Sequence, residues 1–304
     1  MPHAHVNKLT IEYDIRGTGE PLLLVHGLNT QLIEWPEDLI NLFVAEGFRV
    51  IRFDNRDIGL STQGTWTPPR TAKTLAAILA RRPLKGVGYT LVDMADDAAG
   101  LLDALNIESA HIVGVSMGGM IAQELAINHP TRVRSMCSIM SNVGDRKSGG
   151  VKLSLARKVA RRPTPTKENA VDEDVKLNEL ISGPHFDAGE RRTLAAALVE
   201  RSFTPGGTER QLAAISASRD RTELLATVTA PTLVIHGLLD PLVKFSGGVA
   251  TAMAVPGSRL LALPDMGHDL PRPRFMEIRD AILDNIGRAS LAYRREQPES
   301  EDTC

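Results

Sequence analysis

Three residues that could together activate a hydroxyl occur in the chain order Ser116, Asp240, His268. A serine hydroxyl is a weak nucleophile until a base takes its proton, and the base must be oriented by an acid. Ser116 lies in GVSMGG, Asp240 in HGLLDP and His268 in PDMGHD, each directly after a short apolar run of β type. In an open α/β sheet the groups that follow strands collect at one rim, so this placement brings all three to the same edge. Other residues compete at this point. His26 and His236 also end β-type runs and precede glycine, Asp145 follows the run that ends near Met140, and Asp265 stands too close to His268 in the chain to serve as its acid.

The elements that must position these groups are legible from period and punctuation. HVNKLTIEYDIRGTGEP reads as an opening hairpin, followed by β-type runs at 22–25 and 50–53. Between them, EWPEDLINLFVAEGF has apolar residues at helical spacing, Pro36 at its start and Gly47 at its stop. YTLVDMADDAAGLLDALNI is a second helix, with Asp93, Asp96 and Asp97 expected to solvate it and to complement its dipole. Runs at 111–115 and 133–140 bracket a third. From 142 to about 230 strand patterns vanish and polar helical ones take over, in SLARKVARR, VDEDVKLNELI, RRTLAAALVERS and ERQLAAISA, with Pro205-Gly206-Gly207 read as a separator. Strand patterns resume at 232–235 and 260–263, before a helix in RPRFMEIRDAILDNIG.

This alternation predicts an α/β class chain with a doubly wound, mostly parallel sheet and a helical cap inserted after the sixth strand. The corresponding division is 1–141 core, 142–230 cap, 231–290 core and 291–304 disordered tail. Asp54, Arg56 and Asp57 read as a turn, and the basic SLARKVARR segment as a solvated face. Trp66, Pro68 and Pro69 fall in a long link that could border a pocket, and the cap leucines are assigned chiefly to packing on the core.

Bulk properties exclude several classes. With 35 Lys+Arg against 37 Asp+Glu and 42% hydrophobic residues, the chain carries no excess charge for nucleic acid. Its two cysteines, Cys137 and Cys304, cannot form a disulfide framework or a thiolate metal site. No segment reads as a signal peptide or membrane span, and no G-x-G-x-x-G or G-x-x-x-x-G-K-[ST] fingerprint occurs. The expectation is a cytoplasmic protein without cofactor or metal, acting on a small molecule, with no membrane or nucleic-acid partner and with its oligomeric state open.

Gly114-Val115-Ser116-Met117-Gly118, the His26-Gly27 turn, DNRDIGLS, Asp240 and Gly267-His268 together resemble the α/β-hydrolase fold superfamily in position and order, over roughly residues 5 to 290. The DNRDIGLST and GVSMGGMIAQELA stretches are similar to bacterial serine esterases of the aclacinomycin methylesterase type. The resemblance implies Ser116 as nucleophile, His268 as general base and then acid, and Asp240 as the orienting acid, with Asp145 in the position that some hydrolases use instead. It also implies an oxyanion hole of the Met117 and Leu28 backbone N–H groups, with His26 in the oxyanion loop. Gly114 and Gly118 would then let strand and helix meet tightly around a strained serine. The expected activity is hydrolysis of a carboxylic ester of small to medium size through an acyl-enzyme. Lactone opening, perhydrolysis or acyl transfer could use the same groups, and a hydrolase-like binding protein with little turnover is the alternative of a different class.

Overall fold

The computed structural model describes residues 1–69, 74, 77, 82–163 and 165–296. Its centre is an eight-stranded sheet in the order β1-β2-β4-β3-β5-β6-β7-β8. The strands are β1 His3–Val6, β2 Leu9–Arg16, β3 Glu20–Val25, β4 Phe48–Phe53, β5 Ala110–Val115, β6 Val133–Ile139, β7 Thr232–Gly237 and β8 Arg259–Leu263. The expected hairpin is β1–β2, turned at Asn7 and Lys8, both in the left-handed region at φ 49° and 67°. β2 joins β4 antiparallel, and the pairs from β4 through β3 to β8 run parallel.

Register aligns the strand ends that matter. Val25 lies opposite Gly114, Val115 opposite Ile139, Ile139 opposite Ile235, and Gly237 opposite Leu263. The loops after β3, β5, β6, β7 and β8 therefore leave from one rim, as the apolar-run pattern requires.

Strand side chains alternate between two cores. Leu23, Val25 and Ile112 pack with the helices Leu91–Ala104 and Met117–Asn128, whereas Leu22, Leu24 and Val113 pack with Glu37–Ala45 and the helix that begins at Phe275. Both faces of the sheet are thus covered, which is why its central strands read as continuous apolar runs.

Between β6 and β7 stand the helices Leu153–Ala160, Ala170–Ile181, Ala188–Arg201, Pro205–Ala217 and Thr222–Leu225. Pro205-Gly206-Gly207 is not a separator: Pro205 opens the helix, where its missing N–H is no loss. The helix Ser246–Ala254 between β7 and β8 was not expected, since GGVATAMA lacks a strong apolar period. The final helix, Phe275–Glu296, runs six residues into the range expected to be a disordered tail; 297–304 lie outside the described residues.

Two further expectations change. Asp97 does not solvate its helix. It is buried and takes Arg56 Nε at 2.5 Å and Nη2 at 2.7 Å, together with Asn7. The DNRDIG loop is also more than a turn, because its acids anchor the inserted helices: Asp54 to Arg201 at 2.8 Å and Asp57 to Arg210 at 2.7 Å.

Arg221 closes the insertion at its base. Its backbone N–H donates to Val143 O, Nη2 donates to Asn142 O and Nε donates to Gln123 Oε1, each at 2.9 Å, and the guanidinium faces buried Glu124. Burial lowers its pKa to about 10, so it stays charged at neutral pH. Arg221→Ala is expected to lower stability by about 3 kcal/mol, because buried Gln123 Oε1 and the Asn142 carbonyl lose their charged donor. Urea unfolding of the two proteins measures the difference.

Candidate active site

Ser116 occupies the turn between β5 and the helix Met117–Asn128, at φ 56° and ψ −117°. Such a backbone is strained for a residue with a Cβ and is held by its surroundings. Ser116 N donates to Ile139 O at 2.9 Å, and two close approaches leave no room to relax. A Cβ on Gly114 would overlap the Gly118 carbonyl, and one on Gly118 would overlap the carbonyl of Val25. The glycines flank the serine because strand and helix meet there backbone to backbone.

The turn pushes the serine side chain to the rim. His268 Nε2 lies 2.9 Å from Ser116 Oγ, and its Nδ1 lies 2.7 Å from Asp240 Oδ2. An acid on Nδ1 fixes the proton there and leaves Nε2 as the acceptor facing the hydroxyl. Asp240 is 1% exposed. Its other oxygen, Oδ1, accepts the Leu242 and Val243 N–H groups at 2.8 Å each, so the carboxylate is aimed from both sides.

The competing residues are occupied elsewhere. Asp145 Oδ1 accepts the backbone N–H groups of Lys147 and Ser148 and the Ser148 hydroxyl. His236 Nε2 donates to Val243 O at 2.8 Å, and burial lowers its pKa. Asp265 pairs with Arg274 and His185, which hold its pKa down at about 2.

His26 Nδ1 accepts the Gly27 N–H at 2.8 Å, and its ring lies against Trp35. This bond shapes the loop that carries Leu28. Gly27 comes so close to the turn at Ser116 that a Cβ there would stand 3.3 Å from Ser116 Cβ. Met117 opens its helix, where first-turn N–H groups have no intrahelical acceptor. Leu28 and Met117 border the same cavity as Ser116 and His268.

That cavity has a volume of about 1260 Å³ and is walled by rim loops and inserted helices together. Leu177, Leu194 and Leu212 line it, so these three are not chiefly core packing as the sequence suggested; Ile215 lines it while packing against the core, Leu155 and Leu198 are buried, and Leu153 is exposed. On one side Arg191 bridges Glu34 at 3.0 Å and Asp174 at 2.5 Å, a pairing with no sequence signal because its members lie up to 157 positions apart. Trp66 is remote from this wall and packs edge-on against Tyr89; most of the link after it, 70–73, 75–76 and 78–81, lies outside the described residues.

Sheet order, the strained turn at Ser116 and the shared rim define a known class. Residues 20–271 match the family model for the alpha/beta hydrolase fold, and the chain belongs to that family. Among its relatives it is 27% identical over 298 residues to rhodomycin D methylesterase DauP of Streptomyces sp. (strain C5), covering 89% of this chain and 93% of the relative. It is 28% identical over 274 residues to rhodomycin D methylesterase DnrP of Streptomyces peucetius, covering 83% and 85%. Among solved structures, the enol-lactonase of Burkholderia xenovorans LB400 superposes with a TM-score of 0.70 at 23% identity, over 94% of this chain and all of the other. No helix among the described residues is long and apolar enough to cross a membrane.

Burial, with Arg191 adding to it, holds the His26 pKa at about 3, below the 6.5 of an unfolded histidine. The unfolded chain therefore binds the proton first, and the stability that neutral His26 contributes above pH 6.5 is lost as pH falls toward 3. Between pH 7.5 and 5.0 the wild type should lose about 2 kcal/mol more than His26→Gln. Parallel urea titrations at the two pH values measure this, and equal losses would contradict it.

Proposed function

We propose that this protein is a serine hydrolase that cleaves a carboxylic ester through an acyl-enzyme. The observation that carries the reading is the imidazole of His268, which spans Ser116 Oγ on one nitrogen and Asp240 on the other. His268 takes the hydroxyl proton as Ser116 Oγ attacks the ester carbonyl, and Asp240 supports the imidazolium that forms. The Leu28 and Met117 backbone N–H groups receive the oxyanion, with the helix N-terminus adding a favourable field. His268 returns its proton to the departing alcohol. It then activates the water that releases the acid and restores the serine.

The 1260 Å³ cavity has room for an ester of medium size, for which the inserted helices serve as a cap. The names of the two Streptomyces relatives support ester cleavage in particular.

Steady release of p-nitrophenol from p-nitrophenyl esters of graded acyl length tests the reading. Ser116→Ala should lose about 10⁴-fold or more in kcat. Met117→Leu should stay within about threefold, because the role of Met117 rests on its backbone N–H. A wild type as inactive as Ser116→Ala across the panel would instead favour a ligand-binding role. Equal losses from both substitutions would overturn the oxyanion assignment.

A further inference from the structure

The inserted helices reach the candidate base through its backbone as well as bordering the cavity. The helix Ala170–Ile181 ends at Ile181, whose carbonyl oxygen accepts the His268 N–H at 2.7 Å. Around that bond the two chain segments touch with no side chain between them. A Cβ on Gly267 would overlap the backbone of Ser182 and Gly183, and one on Gly183 would overlap the carbonyl of Asp265. One carboxylate joins them: Asp269 Oδ1 accepts Gly183 N from the insertion at 3.2 Å and Gly267 N from the loop after β8 at 2.9 Å. A second tie lies farther out, where His185 Nε2 meets Asp265 Oδ2 at 2.7 Å and Arg274 Nε donates to Asp265 Oδ1 at 2.9 Å.

We propose that Asp269 is a positioning residue for His268, locking the Ile181–Gly183 turn of the insertion to the loop that carries the imidazole. The inference rests on reading His268 as the base. The ring is held by Asp240 from the core, whereas the peptide is held by the insertion. The second anchor depends on the two segments staying in contact, and Asp269 Oδ1 is the acceptor that both share. Leu177, one turn before Ile181, lines the cavity. A substrate pressed against Leu177 therefore bears on the helix whose last carbonyl holds His268.

The test uses the full chain with Asp269→Asn and Asp269→Ala. Asparagine keeps an oxygen that can accept both N–H groups, whereas alanine removes it. With p-nitrophenyl acetate, Asp269→Ala should lower kcat about tenfold or more while KM moves less than about threefold. Asp269→Asn should restore kcat to within about threefold of wild type. The low-field proton resonance of His268 Nδ1–H should be sharp in wild type and Asp269→Asn, and broadened or lost in Asp269→Ala, while circular dichroism reports an unchanged fold.

A wild-type kcat in Asp269→Ala, or equal losses in both variants, would overturn the proposal. If the wild type releases no p-nitrophenol, the esterase reading fails by itself and the resonance still decides. Loss in alanine alone supports positioning, and the same line in all three proteins refutes it.

Discussion

The turn at Ser116 is the constraint on which the rest of the molecule depends. A serine at φ 56° is held there only because β5 feeds directly into a helix that lies against β3, with Gly114, Gly118 and Val25 in backbone contact. That contact needs β3 and β5 adjacent and in register, which the pairing of Val25 with Gly114 provides. The other candidate groups are then referred to the same rim: Leu28 one loop away, Asp240 after β7 and His268 after β8. The strain is local, and the two cores on either face of the sheet sustain it.

Ties of different chemistry fasten the inserted helices to the core. Acids of the DNRDIG loop hold Arg201 and Arg210, Arg221 joins the start and end of the insertion to the helix that follows Ser116, and the Ile181–Gly183 turn meets the His268 loop through its backbone. These ties make the insertion part of the same packed body as the site. The cavity between them is large, and Leu177, Leu194 and Leu212 give its inserted wall apolar surface beside polar groups and the Arg191 bridge to Glu34 and Asp174.

The sequence displayed the sheet well because its parallel strands are buried on both faces and so read as unbroken apolar runs bounded by Gly and Pro. The rim positions of Ser116, Asp240 and His268 followed from that pattern, since each stands directly after such a run. What the sequence concealed was long-range pairing of charge. Asp97 looked like one of three aspartates on a wet helix, yet Arg56, 41 positions away, draws it inside. The leucines at 177, 194 and 212 have the spacing of core packing, and periodicity alone cannot distinguish a core from a cavity wall. The helix Ser246–Ala254 was missed because small residues around Gly247 and Gly248 give little amphipathic signal, although they let the helix sit against His236.

Ser116, activated by His268, is proposed to form the covalent bond to substrate. The most direct test of this is mass spectrometry after reaction with a fluorophosphonate, which traps an activated serine. One adduct per chain is expected, on the peptide that contains Ser116, and it should disappear in His268→Ala. An adduct on another residue, or undiminished labelling of Ser116 in His268→Ala, would contradict it.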